Sequence, residues 1–85
     1  MRRKVKRIID GDTFEVYRKV NGTRFVRLSG VNSPERYNKG GLKATNTLRR
    51  LIGGRTVTLV PKGRSYGRIV ADVRQKRKSI NKRQK

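Results

Sequence analysis

Apolar residues in this chain come in short runs that alternate with polar ones, and a period of two suits strands with one buried face. Val5 to Ile9 is rich in β-branched residues, and Thr13 to Tyr17 sets Phe14 and Val16 on one side against Thr13, Glu15 and Tyr17 on the other. Arg24 to Gly30 puts Val26 and Leu28 on a common face, so Arg27 points the other way. Thr56 to Val60 turns Val57 and Leu59 inward, and a fifth run sets Ile69, Ala71 and Val73 against Arg68, Val70 and Asp72. One stretch breaks the pattern. Leu42, Thr45, Leu48, Leu51 and Ile52 recur at helical spacing and Gly53-Gly54 follows as a stop, which predicts a helix over 41–52 with Lys43, Arg49 and Arg50 on its outer side.

The connections carry turn chemistry. Asp10-Gly11-Asp12 reads as a tight turn and Asn21-Gly22 as a hairpin, while Ser33-Pro34-Glu35 ends the third strand and Pro61-Lys62-Gly63 closes the fourth. The order is three strands, a helix, then two strands, βββαββ. That order suits a mainly β fold with one helix, a small five-stranded barrel of the oligonucleotide-binding type whose closure protects its strand edges. Periodicity alone leaves an open α+β sheet as the alternative. The whole chain, 1–85, is expected to form one domain, with a basic mobile tail over about 75–85.

Composition then narrows the partner. Twenty-five Lys and Arg against five Asp and Glu give a net charge of +20 on 85 residues. Such an excess repels itself unless a polyanion neutralises it, which points to DNA or RNA. A membrane surface would need a basic helix with bulky apolar anchors, and none is present. Cysteine and histidine are both absent, which removes disulfides, Cys/His zinc sites, Ser-His-Asp triads and every histidine base. Catalysis would have to use carboxylate, Arg, Lys, Tyr or a hard metal. The basic start MRRKVKRIIDGDT lacks the apolar run of a secretory signal, so a cytoplasmic location is expected.

With so few acids, each carboxylate calls for a reason. Arg27 and Arg68 lie opposite the inward residues of their strands, and two guanidinium forks can grip the free oxygens of one phosphate. They could equally be two surface arginines among many. Glu35 is the only acid between Glu15 and Asp72 and follows a proline that fixes its backbone. It could activate water for attack on a phosphate, or it could simply balance charge. Asp12 could give a hard oxygen to calcium, or it could cap its turn.

In combination and in this order, IIDGDTFEV, VRLSGVNSPE, LKATNTLRRLIGGRTVTL and YGRIVADV resemble the staphylococcal nuclease, or thermonuclease-like, family over nearly the whole chain. The resemblance implies an oligonucleotide-binding barrel that hydrolyses DNA and RNA phosphodiester bonds with calcium. By the same resemblance Glu35 matches the general base, and Arg27 and Arg68 match the arginines that bind the phosphate and stabilise its charge. Asp12, Asn32 and the Ser33 carbonyl match metal ligands, and Tyr66 matches a tyrosine beside the phosphate. Three positions depart from the pattern. Asn32 replaces an aspartate, which removes a negative charge and predicts weak calcium binding. Arg64 stands where acid is frequent and Ser65 follows it, which predicts a phosphate pocket that is more positive or shaped differently. Beyond Asn81 the family's further helices are lacking, which predicts an exposed apolar patch or a homodimer that covers it. A non-catalytic, basic nucleic-acid-binding barrel is the alternative function.

Overall fold

The computed structural model describes residues 1–32, 39–76 and 78–84. Six strands and two helices follow one another: β1 (Arg2–Asp10), β2 (Thr13–Val20), β3 (Thr23–Leu28), α1 (Gly41–Ile52), β4 (Thr56–Ser65), β5 (Arg68–Gln75), β6 (Lys78–Ser79) and α2 (Ile80–Gln84). The sheet runs β3-β2-β1-β4-β5-β6, and a parallel pairing of β3 with β5 joins its two sides into a five-stranded barrel. The expected fold class is therefore the observed one.

Alternation explains the core. Phe14, Val16, Val26, Leu28, Leu59, Ala71 and Val73 are fully enclosed, and Leu48 and Ile52 of α1 join the same cluster. The helix occupies the predicted range, but its buried stripe is Gly41, Thr45, Leu48 and Ile52, while Leu42 is exposed. Its end depends on glycine. The Gly53 amide donates to the Arg49 carbonyl at 2.8 Å, and a Cβ there would stand 2.5 Å from that same oxygen.

Two hairpins use left-handed residue pairs, Asn21-Gly22 (φ 49° and 89°) and Tyr66-Gly67 (φ 51° and 76°). Positive φ at both central positions is the turn that matches strand twist. Across β1, β2 and β3, the buried Glu15 carboxylate meets Arg7 at 2.7 Å and Arg24 at 3.8 Å. Residues alternating away from the apolar interior are thus not all exposed, since Thr13 and Glu15 are buried as well.

Two expectations are corrected here. Pro61-Lys62-Gly63 does not close the fourth strand, which continues to Ser65 through a register shift between Pro61 and Gly63. The proline is tolerated because β1 pairs with β4 only over Thr56–Thr58, so Pro61 lies at a bulge beside an edge that β1 no longer occupies. The segment after Arg74 is not a loose tail either. β5 runs on to Gln75, β6 pairs with it, and α2 buries Ile80 and Asn81. Pairing of β3 with β5 ends at Leu28↔Ala71 and that of β6 begins at Arg74↔Ser79. Asn81 fills the gap: its Oδ1 accepts the Val73 amide at 2.7 Å, and its Nδ2 donates to the carbonyls of Ser29 (2.7 Å) and Ala71 (3.2 Å). At the end of α2, Gln84 Nε2 donates to the carbonyls of Gly11 and Ala44, both at 2.7 Å. The final turn of chain thereby holds the Asp10-Gly11-Asp12 turn against α1.

Candidate active site

Three strands bring the site together. Thr13 pairs with Arg27 across β2 and β3, and Arg27 pairs with Val70 across β3 and β5, so the start of β2, the end of β3 and the start of β5 are neighbours. The Asp10-Gly11-Asp12 turn enters from β1. Asp10 accepts the Asp12 amide at 3.1 Å, and the Asp12 carbonyl accepts the Leu28 amide at 2.7 Å, which ties the turn to β3. Its backbone is thus held from both sides.

Side chains converge upon that frame. Arg27 Nη2 lies 3.5 Å from Asp12 Oδ2 and donates to Asn32 Oδ1 at 3.0 Å. The Thr13 hydroxyl donates to Asp12 Oδ1 at 2.9 Å and accepts from Arg68 Nη1 at 3.5 Å. Arg68 Nε also donates to the Ser65 carbonyl at 3.4 Å, which braces the guanidinium across its own hairpin. Arg27, Arg68, Asp12 and Asn32 are therefore one cluster, linked through Thr13. Asp12 is largely buried, while Asn32 is exposed at the rim.

Electrostatics inside the turn are uneven. Burial pushes the Asp10 carboxyl above its ordinary range, and the side-chain hydrogen bond with Asp12 and repulsion by Asp12 add to that, against the Asp12 amide and the Thr13 hydroxyl, which favour the charged form. Two carboxylates close together in a partly dry turn favour a bound cation. The donors that converge are hard oxygens, Asp12 Oδ2 and Asn32 Oδ1, and both already meet one cationic nitrogen, that of Arg27. That donor chemistry fits calcium, although Asn32 supplies no charge. Among the described residues no group of three or more Asp, Glu, His or Cys side chains forms a fuller metal cluster.

The remaining expected positions fall elsewhere. Tyr66 stands at the tip of the β4–β5 hairpin with 95% of its surface exposed, so its ring is not packed on the arginines. Arg64 reaches toward the Asn21-Gly22 turn, where its Nη2 would lie 3.9 Å from a Cβ on Gly22. Glu35 and Ser33 lie outside the described residues. Sequence reasoning passed over Thr13 and Gln84. For Thr13 the available signal was its place in the Asp-Gly-Asp-Thr cluster, whereas nothing local to Gln84 announced its reach to Gly11.

Comparison with known proteins follows the same outline. Residues 25–83 match the family model described as staphylococcal nuclease homologue. Over 71 residues the chain is 37% identical to an Escherichia coli protein named uncharacterized endonuclease, covering 82% of this chain and 46% of that protein. A Haemophilus influenzae protein of the same name is 35% identical over 79 residues, covering 92% and 44% respectively. The chain spans less than half the length of these curated relatives. Among the described residues, no helix is long and apolar enough to cross a membrane.

Proposed function

The chain belongs to the staphylococcal nuclease homologue family, and from that premise we propose that it is a calcium-dependent nuclease cutting DNA, RNA or both with little base specificity. The observation that carries the reading is the convergence of guanidinium groups from two strands upon the Asp12-Thr13 turn, Arg27 at Asp12 and Arg68 at Thr13. Two arginines so placed can hold the non-bridging oxygens of one phosphate through charge-assisted bonds and stabilise charge that grows there during attack.

Asp12, Asn32 and the Ser33 carbonyl would hold the cation, whose contribution is Lewis-acid neutralisation of the phosphate. Arg27 Nη2 lies against one oxygen each of Asp12 and Asn32, so it would give them up to a bound cation and turn its donors to the phosphate. Glu35 takes the proton from the attacking water as the new P–O bond forms in line with the ester bond that breaks. Arg68 steadies the departing oxygen. Thr13 positions Arg68 and Asp12 relative to each other and touches no substrate in this scheme.

A binding-only barrel is the second reading, favoured by the uncharged Asn32 among the metal ligands. One assay separates the two: digestion of plasmid and RNA with calcium titrated from micromolar to tens of millimolar, beside Glu35→Gln. Removal of the general base is expected to slow cleavage on the order of 10²–10⁴-fold and to leave nucleic-acid affinity nearly unchanged. Chelation is expected to stop it. Cleavage indifferent to both changes would refute the mechanism, and affinity without any cleavage across the titration would establish the binder.

A further inference from the structure

A second cationic site lies at the far end of the barrel. Arg2 of β1, Thr58 of β4 and Arg74 of β5 are register partners, so they form a row across three neighbouring strands. Strand spacing puts the backbones of the two arginines about 10 Å apart with Thr58 between them. Arg55, Thr56, Gln75 and Lys76 complete a groove of about 760 Å³. Among the described residues its lining holds four cations and no carboxylate. The nearest acid along the outward face of β5, Asp72, is engaged 3.7 Å from Lys62 Nζ.

Like charges set side by side on a sheet repel one another, and no acid among the described lining residues answers them. Two threonine hydroxyls add neutral donors, and no aromatic side chain offers a stacking surface for bases. These are the groups that grip a phosphate backbone without reading sequence. Arg68 and Arg74 share the outward face of β5 six residues apart, which is roughly 20 Å of strand. At 3.4 Å per base pair that is about six base pairs from the cluster at Arg68.

We infer that the Arg2–Arg55–Arg74–Lys76 groove is an exosite for the phosphodiester backbone of a polynucleotide that extends from the cluster at Asp12 and Arg68. The inference rests on the proposed function only for the polymer's presence at that cluster. Binding with calcium chelated tests it without turnover, so a failed nuclease reading leaves the result interpretable.

The test is fluorescence anisotropy of a labelled 24-base-pair duplex and a 24-nucleotide single strand, titrated at several salt concentrations in chelator. The groove variant is Arg2→Gln, Arg74→Gln and Lys76→Gln; a charge-matched control carries Lys6→Gln, Arg18→Gln and Lys19→Gln. Since each duplex phosphate contact adds about 0.9 to the log-log salt slope, the groove variant is expected to be shallower by about 2–3 and the control by less than about 1. Arg74→Gln alone, the mildest change, is expected to remove about 1. Circular dichroism melts verify that each variant folds. The single strand distinguishes which form of backbone the groove prefers. Equal changes in groove and control variants would mean diffuse attraction and overturn the site, as would an unchanged groove variant. Groove-dependent binding to phosphatidylglycerol vesicles but not to either oligonucleotide would assign it to lipid and overturn it too.

Discussion

Asn81→Ala isolates the contact that turns a basic tail into part of the barrel. Asn81 is almost fully buried and serves three backbone groups, the Val73 amide and the carbonyls of Ser29 and Ala71. The Ala71 carbonyl keeps another donor, the Ser29 amide at 2.9 Å. Truncation therefore strands one buried group, the Val73 amide, and one half-buried group, the Ser29 carbonyl. At about 1–3 kcal/mol for a buried group left unsatisfied, and less for a carbonyl that water can reach, the loss is about 1–4 kcal/mol, with about 3 as the working figure. A domain of this length has roughly 4–13 kcal/mol in total. Urea unfolding followed by circular dichroism reads the difference, and with a slope near 1 kcal/mol/M the midpoint should fall by about 3 M. Asn81→Asp keeps the acceptor for Val73 but loses both donated bonds, and should also destabilise. A loss below about 1 kcal/mol for the alanine variant would show that residues after Arg74 add little to the fold.

Asp10 ties stability to pH. Its folded pKa is raised above 3.8, so the folded state favours the protonated form, and Asp10 supports the fold fully below that value and loses its contribution as pH rises through the folded pKa. In chelator, Asp10→Asn is therefore expected to raise Tm at pH 7, with the gain shrinking as pH falls through the folded pKa and gone once pH is below 3.8; a gain independent of pH would contradict the cause given. Asn32→Asp restores a carboxylate beside Asp12 and Arg27, and titration calorimetry should show calcium affinity raised by about tenfold or more, because ligand charge tunes such sites. Unchanged affinity would remove Asn32 from the metal ligands.

Alternation was sufficient for the barrel strands and helical spacing for α1, because both are local periodicities imposed by one buried face. Of the two hairpin turns, Asn21-Gly22 was legible as a pair that accepts the backbone angles a tight hairpin demands, whereas the turn after β4 was expected at Pro61-Lys62-Gly63 and lies at Tyr66-Gly67, because tyrosine gives no sign of a left-handed backbone. The pairing of Arg27 with Arg68 was visible only as a shared outward direction. Their meeting at Asp12 and Thr13 required the parallel contact of β3 with β5, which joins residues some forty positions apart. Periodicity stopped at Arg74 because β6 and α2 are too short to show a period; β6 pairing, the buried Ile80 and the amides of Asn81 and Gln84 anchor them instead.

Residue order by itself thus determined the elements, their inward faces and the chemistry on offer: guanidinium, hard oxygen and a large positive charge. Only the closed barrel decided which of those groups become neighbours. Backbone pairing between distant strands sets those distances, and it has no local signature in the chain. The same closure set Asn81 in the ladder gap and drew Gln84 to the Gly11 carbonyl, while the antiparallel pairing of β4 with β1 and β5 lined up Arg2, Thr58 and Arg74 across three strands.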